Sequence, residues 1–312
     1  MIVRGPWVLR AVLGAAGAGL LVLSLLGFFP ERGLGFELLA HLRVQWLAAA
    51  ALLTLLSVFS GSRWATLMTA TALAANAGAV YGAMAAAEGP RTAQRGAPVV
   101  TIVWANLQAQ PQALERVAAL ARAESADIVA LTELTAGGAD AAARALDGFE
   151  CRTPVTGVVD RLTTLILART CGGAGESGLP SPSSAVWLES DGLRVVAAHP
   201  APPLSENGRA MRDLAIEAAV DLRSLSGPTL MIGDFNATPY AKAFDGVTLA
   251  AMSRARCGGP FVSTWGTANP LLGLHIDHVF VSAGVRLLGC RVGPWSRSDH
   301  APLVVRVQIA AP

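Results

Sequence analysis

The sequence is short of charged side chains, which make up 15% of its 312 residues, against ~25% in an average soluble protein. Lysine is almost absent, since Lys242 is the only one among 24 basic residues. We attribute the scarcity of lysine to codon usage and draw no chemistry from it. The scarcity of charge excludes an ordinary soluble protein over the whole length of the chain.

The shortage of charge is confined to the first third of the chain. Residues 1–97 carry seven Arg and three Glu, whereas residues 98–312 carry 17 basic and 19 acidic side chains, a net charge of −2. Proteins that grip a nucleic-acid backbone usually have a basic excess. The second part lacks that excess, which argues against nucleic acid as its main partner.

Three runs of residues carry no charge, at 11–29, 44–60 and 64–87. About 20 apolar residues cross the hydrocarbon core of a bilayer. We therefore predict a membrane anchor over residues 1–87, with three transmembrane helices at about 7–29, 44–60 and 64–87. The first run is longer than the apolar part of a cleaved signal peptide, and two more runs follow it. We predict that residues 88–97 form a linker and that residues 98–312 form a single soluble domain.

The positive-inside rule gives a weak orientation. Arg4 and Arg10 lie before the first uncharged run and favour a cytoplasmic N-terminus. Three crossings then place residues 98–312 outside the cytoplasm.

The cysteines agree with an exported domain. All four lie in the soluble part, and none has the C-x-x-C spacing of many zinc and redox sites. An even number in an exported domain indicates two disulfides, with three possible connectivities. We favour Cys151–Cys171 and Cys257–Cys290, because each pair brackets neighbouring strands.

The soluble part predicts an α+β fold with mixed sheets. At least eight short apolar, β-branched runs are separated by few helices and often by hairpin-like spacings. Pro111 opens one helical pattern, and a second helix is predicted from about Arg209 to Leu225.

Polar residues stand where the predicted strands end or begin. They are Asn106, Glu133, His199, Asp234, Asn236, Asp277, Asp299 and His300. Carboxylates at the ends of buried strands need a partner, and few cations lie near them in the sequence. A divalent cation meets that need, and carboxylate and amide oxygens suit Mg²⁺ or Mn²⁺. The histidines suit proton transfer or phosphate contact.

These residues form an ordered series of motifs. The series is Trp104-Ala-Asn-Leu107, Leu131-Thr-Glu-Leu134, His199, Gly233-Asp-Phe-Asn236, Ile276-Asp-His278 and Ser298-Asp-His300. It resembles the endonuclease/exonuclease/phosphatase superfamily over essentially residues 98–309. The resemblance implies a four-layer αββα sandwich and metal-dependent hydrolysis of a phosphate ester.

The resemblance also implies a role for each residue. Glu133 would hold Mg²⁺ (or Mn²⁺), with Asn106 and Asp299 completing or supporting the metal site.

The remaining residues would act on water and phosphate. Asp234 would position or activate the attacking water, and Asn236 would hold that water or a phosphoryl oxygen. His300, oriented by Asp277, would act on the phosphate or in proton transfer, and His199 would donate to a non-bridging oxygen.

Two positions depart from the family pattern. Many relatives have Gln before the metal Glu, where this chain has Thr132, and many nucleases of the family have an acid where this chain has Gln108. The second departure makes a nuclease-like site less certain.

A closer resemblance is to membrane-anchored bacterial members, the YafD-like and VanJ-like proteins. It rests on His199-Pro-Ala-Pro-Pro203 and on the helix start Gly208-Arg-Ala-Met-Arg212. Arg209 and Arg212 could bind a phosphate bidentately or lie solvated at the surface. Trp265 could contact substrate or serve packing alone.

This branch implies a bacterial cell-membrane location and a link to glycopeptide resistance. We therefore expect a membrane-anchored phosphoesterase that hydrolyses a phosphate ester or pyrophosphate on a membrane lipid or another lipid-linked substrate. The alternatives are an extracytoplasmic nuclease that cleaves DNA or RNA, and a catalytically silent membrane scaffold.

Overall fold

The computed structural model describes residues 6–135, 137–154, 163–176, 183–221, 227–245, 247 and 251–309. The chain divides into two compact units. The first comprises Met1–Ala86 with the short segments Pro239–Lys242 and Pro270–Leu272, and the second holds the rest of the chain.

The first unit is helical. Its helices are α1 (Pro6–Leu26), α2 (Leu34–His41), α3 (Arg43–Ser60) and α4 (Arg63–Ala85). Within the described residues, two helices are long and apolar enough to cross a membrane, over Trp7–Leu26 and Arg43–Ser60. The third predicted span forms α4, which is long enough to cross but less apolar than α1 and α3, because hydroxyl and amide side chains such as Thr69 and Asn76 interrupt it.

A buried polar cluster joins three of these helices. The Arg43 guanidinium donates to the Ser24 carbonyl at 2.8 Å and to the Asn76 amide oxygen at 3.1 Å. The Asn76 amide nitrogen donates in turn to the Ser24 hydroxyl at 2.8 Å. A buried charge is stable only when it is paired or hydrogen-bonded. The cluster therefore fixes how α1, α3 and α4 pack together.

In its described residues, the second unit contains three α-helices and two six-stranded sheets. The helices are α5 (Pro111–Ala123), α6 (Gly138–Ala145) and α7 (Glu206–Asp221). The strands are β1 (Val99–Asn106), β2 (Ile128–Leu134), β3 (Cys151–Arg152), β4 (Thr163–Ala168), β5 (Ala174–Glu176), β6 (Ser184–Ser190), β7 (Leu193–His199), β8 (Thr229–Asp234), β9 (Met252–Arg254), β10 (Asp277–Ser282), β11 (Val285–Val292) and β12 (Leu303–Ile309). Helix α7 begins three residues before its predicted start, and its predicted end at Leu225 lies outside the described residues.

Each sheet has one parallel pair near its centre. The strand orders are β11-β12-β1-β2-β4-β3 and β5-β6-β7-β8-β10-β9. Strands β1 and β2 run parallel in the first sheet, as do β7 and β8 in the second, while the other pairs are antiparallel. The carboxyl ends of the two strands in each parallel pair therefore lie at the same edge of their sheet.

The core confirms the predicted α+β sandwich. One apolar cluster fills the space between the sheets, with Ile102 and Ile166 facing Val195 and Ile232. A second cluster packs α5 and α6 onto the outer face of the first sheet. Helix α7 packs on β6 and β7. The layers are helix, sheet, sheet and helix.

Both predicted disulfides are present. Cys151–Cys171 joins β3 to the residues after β4, with the two Cα atoms 5.3 Å apart. Cys257–Cys290 joins the residues after β9 to β11, with the Cα atoms 4.4 Å apart. Because β9 and β11 belong to different sheets, this second bond ties the two halves of the sandwich together.

Candidate active site

Four polar side chains meet at the carboxyl ends of the two parallel pairs. Asn106 ends β1, Glu133 lies near the end of β2, His199 ends β7 and Asp234 ends β8. The Asn106 amide nitrogen lies 2.8 Å from Glu133 Oε1 and 3.1 Å from Asp234 Oδ2. His199 Nε2 lies 3.5 Å from Glu133 Oε1 and 3.6 Å from Asp234 Oδ2. Both sheets thus contribute to one cluster.

An irregularity in β2 places Glu133. The pairing of β2 with β4 shifts register between Leu131 and Leu134, and Glu133 has a φ of 54°. A bulge of this kind redirects a side chain at the edge of a sheet. The Glu133 carbonyl accepts a hydrogen bond from the Ala109 N–H at 2.9 Å, which holds the irregular backbone in place.

Gly233 lets β7 and β8 approach closely beside the site. A Cβ atom at this position would lie 1.9 Å from the Ala198 carbonyl oxygen, which no side chain tolerates. The residues that follow Ala198 and Gly233 are His199 and Asp234. Glycine is therefore required here for these two functional side chains to lie together.

His300 is held by a buried acid. Its Nδ1 lies 2.9 Å from Asp277 Oδ2, and the Trp104 indole N–H donates to the other oxygen of Asp277 at 2.9 Å. The second ring nitrogen, Nε2, lies 3.5 Å from Asp234 Oδ2. Burial lowers the pKa of His300, but the charges of Asp277 and Asp234 outweigh it and raise the pKa to about 10. His300 is therefore an imidazolium at neutral pH.

Asp234 lies at the centre of the cluster and is almost fully buried. Burial, together with the charge of Asp277, raises its pKa, while His300, His199 and the N–H of Asn236 oppose the rise. Additional positive charge nearby would stabilise the ionised form of Asp234. Asn236, at a φ of 49°, donates its N–H to Asp234 Oδ1 at 2.9 Å and its amide to the Pro200 carbonyl.

The cluster fits a divalent cation. One ligand atom each from Glu133, His199 and Asp234 lies within 4.8 Å of the others. Glu133 and Asp234 offer carboxylate oxygens, which Mg²⁺ and Mn²⁺ prefer. The added charge would also stabilise the ionised form of Asp234. Glu133 could hold the predicted metal, and the Asp234 carboxylate and the His199 ring would then lie beside it.

The two supporting ligands predicted from the sequence lie at the same place. Asn106 turns its amide nitrogen toward the carboxylates, while its oxygen accepts the Gln108 N–H at 2.9 Å. The side-chain oxygen of Gln108 accepts the Asp299 N–H at 3.2 Å. Gln108 therefore links Asn106 to Asp299. Metal ligation by Asn106 or Asp299 stays a prediction.

The predicted substrate residues have partners within the chain. Arg209 lies 3.0 Å from Glu206, and the buried Arg212 donates to Asp213 at 2.6 Å. Trp265 is 37% exposed and donates its indole N–H to Asp299 Oδ2 at 3.0 Å. Phosphate binding by the two arginines stays a prediction. Trp265 lies at the edge of the cluster, where a substrate role also stays a prediction.

A chain of hydroxyl groups lies beneath the site, and the sequence motifs do not predict it. The Thr132 and Thr164 hydroxyls are 2.7 Å apart, and those of Thr164 and Ser184 are 2.6 Å apart. Thr132 precedes Glu133, and Ser184 pairs with His199 across β6 and β7. The chain thus crosses from one sheet to the other below these two residues. The only signal for it in the sequence is Thr132, at the position where many relatives have Gln.

The pairing of Asp277 with His300 predicts a pH effect. In the metal-free protein, Asp277→Asn should lower the pKa of His300 from about 10 toward its ordinary value of 6.5. The folded-state pKa is the higher one, so the ionised pair stabilises the wild-type protein below pH 6.5, and this stability is lost as the pH rises toward 10. The variant should lose less stability over that range.

NMR titration of the His300 ring measures the shift directly. Asp299→Asn is the matched control, because its carboxylate is 4.0 Å from Nε2 and contributes less. An equal shift in both variants would contradict the assigned pairing.

Solved structures share the fold of the second unit. An endonuclease/exonuclease/phosphatase from Beutenbergia cavernae is 18% identical, with a TM-score of 0.57 over 68% of this chain and 72% of that one. A 3'-5' exonuclease from Neisseria meningitidis is 21% identical, with a TM-score of 0.54 over 68% and 100%. A mannosyl-6-phosphatase from Bacteroides thetaiotaomicron is 17% identical, with a TM-score of 0.52 over 67% and 99%. At these identities the similarity shows the fold alone.

The sequence itself also matches a family model. No curated protein matches the chain. The model for the Endonuclease/Exonuclease/phosphatase family matches residues 103–300, a range that includes every residue of the cluster. This chain belongs to the endonuclease/exonuclease/phosphatase family.

Proposed function

We propose that this chain is a membrane-anchored, metal-dependent phosphoesterase that hydrolyses a phosphate ester or pyrophosphate on a lipid-linked substrate. The observation that supports the activity most strongly is the joint cluster of Glu133, His199 and Asp234, formed by strand ends from both sheets. Family membership supports hydrolysis of a phosphate ester. The two apolar helices of the first unit support the anchor.

Each residue has a task that follows from its contacts. A bound Mg²⁺ or Mn²⁺ supplies Lewis-acid neutralisation of phosphoryl oxygens. Asp234 accepts the proton of the attacking water, a task that its central position among Asn106, His199 and His300 allows. His300, held as an imidazolium by Asp277, stabilises the negative charge that develops on the phosphoryl group. His199, near the opening, donates to a non-bridging oxygen.

The direction of attack follows from the placement of these groups. Asp234 is buried at the floor of the cluster, whereas Glu133 and His199 are partly exposed. Water activated at Asp234 would reach the phosphorus from the protein side. The leaving group would then depart from the opposite side of the phosphorus, in line with the attack.

A nuclease is the second candidate function. One structural neighbour is a 3'-5' exonuclease, which shows that this fold can carry that activity. The net charge of −2 over residues 98–312 and the absence of an acid at Gln108 argue against it. A catalytically silent scaffold is the third candidate function. The presence of every strand-end polar residue of the family's motif series argues against it.

The activity is tested on the full-length protein in detergent with Mg²⁺ or Mn²⁺. The substrates are bis(p-nitrophenyl) phosphate, a polyprenyl phosphate, a polyprenyl pyrophosphate and a DNA oligonucleotide. We expect a polyprenyl substrate to be hydrolysed faster than DNA and EDTA to stop the reaction. Asp234→Ala should lower kcat by about 10²–10⁴-fold, because it removes the proton acceptor.

The matched control is Asp140→Ala, which removes an exposed acid paired only with the exposed Arg152 and should leave the rate unchanged. Activity that survives both EDTA and Asp234→Ala would refute the mechanism. DNA cleavage faster than lipid hydrolysis would favour the nuclease, and no hydrolysis of any substrate would favour the scaffold.

We further propose that the second unit faces the outside of a bacterial cell membrane. Its two disulfides support an oxidising compartment. This orientation requires α4 to cross the membrane together with α1 and α3. Protease added to intact spheroplasts should then degrade the second unit. A second unit that is protected until the cells are lysed would reverse the orientation.

A further inference from the structure

A cavity of about 110 Å³ opens directly beside Glu133. It lies in the second unit, between the start of α5 and the start of α6. Its lining residues, within the described part of the chain, are Leu107, Ala109, Gln110, Pro111, Leu114, Glu133, Leu134, Thr135, Gly137, Gly138 and Ala141.

The floor of the cavity is apolar. Leu107, Leu114 and Leu134 are buried members of the cluster that packs α5 and α6 onto the first sheet. Glu133 is the only charged residue among those that line the cavity. Most of the lining is therefore apolar, and Glu133, which belongs to the candidate metal site, stands at its edge.

The lining also limits what could bind. None of the described lining residues is aromatic or basic. A nucleic-acid base is usually held by stacking on an aromatic ring, and its phosphates by basic side chains. Neither contact is available here. An aliphatic group, in contrast, gains free energy in proportion to the apolar area that it removes from water.

The backbone of the wall is held in an unusual conformation. Gln108 and Ala109 have φ values of 48° and 54°, and the Leu107 N–H donates to the Thr132 carbonyl at 3.0 Å. Together with the bond from Ala109 to Glu133, this ties the wall of the cavity to the strand that carries the metal ligand. Strained backbone of this kind persists where the surrounding structure imposes it, often at functional sites.

We propose that this cavity binds the aliphatic group next to the phosphorus of the substrate. The inference rests on the proposed function, since Glu133 would hold the metal that binds the phosphoryl group. The cavity is small beside the ~300–1,000 Å³ of a pocket for a drug-sized ligand. It therefore admits a short branched segment, such as the first unit of a longer hydrocarbon chain. The substrate class is a phosphate ester of an aliphatic alcohol.

Alkylphosphonates test the cavity without hydrolysis, because their C–P bond resists the reaction. The probes are methylphosphonate and 3-methylbutylphosphonate, which carry the same charge. Their affinities for the full-length protein with Mn²⁺ are measured by calorimetry and by inhibition of bis(p-nitrophenyl) phosphate hydrolysis. We expect the branched probe to bind at least about tenfold more tightly, because its additional carbons are buried.

Two variants enlarge residues that line the cavity. Ala141→Phe extends from α6, and Gly137→Leu adds a side chain at a second lining position, where its Cβ meets no atom within 4 Å. Each should reduce the preference for the branched probe to about twofold or less and leave the affinity for methylphosphonate unchanged. The matched control is Arg144→Phe, which adds the same ring at an exposed position of α6 and should keep the preference.

The outcomes separate this inference from the proposed function. Equal affinity of the wild-type protein for the two probes would overturn the aliphatic cavity, even if phosphate esters are hydrolysed. Tighter binding of phenylphosphonate than of the branched probe would also overturn it, because an aromatic group would then be preferred. Failure to hydrolyse any phosphate ester would instead count against the proposed function.

Discussion

The candidate site depends on the compensation of negative charge at the ends of buried strands. Asp234 and Asp277 are almost fully buried and face each other as paired residues of β8 and β10. Two carboxylates so close together repel each other unless positive charge lies nearby. His300 supplies part of that charge, since its pKa is raised to about 10. A divalent cation beside Glu133 would supply the rest, which links the stability of the site to its chemistry.

The architecture provides the geometry that this compensation requires. Two parallel strand pairs, one in each sheet, bring their carboxyl ends to a common edge of the sandwich, and Gly233 allows the closest approach there. Several non-glycine residues with positive φ lie around that edge, including Glu133 and Asn236. The regular strands of the core thus support an edge of the sandwich where the backbone conformation is irregular. This division is expected when a rigid scaffold must aim a few side chains at one point.

Much of the site could be predicted because its residues follow strands that the sequence makes easy to recognise. Asn106, His199 and Asp234 come directly after apolar β-branched runs, and parallel strand ends lie together in a sheet. The bulge at Glu133 and the hydroxyl chain through Thr164 could not be predicted, because both depend on strand register. The third membrane span was predicted from the absence of charge alone. Uncharged polar residues such as Asn76 make α4 less apolar than that criterion suggests.

The affinity of the full-length protein for Mn²⁺, followed by electron paramagnetic resonance, shows whether the strand-end carboxylates hold a metal ion. We compare the wild-type protein with Glu133→Gln, and use Glu115→Gln, a change at an exposed acid of α5, as the control. We predict one tight site that Glu133→Gln weakens by at least about tenfold, while Glu115→Gln leaves it unchanged. Equal affinity in all three proteins would contradict this prediction, because the strand-end carboxylates would then not hold the metal.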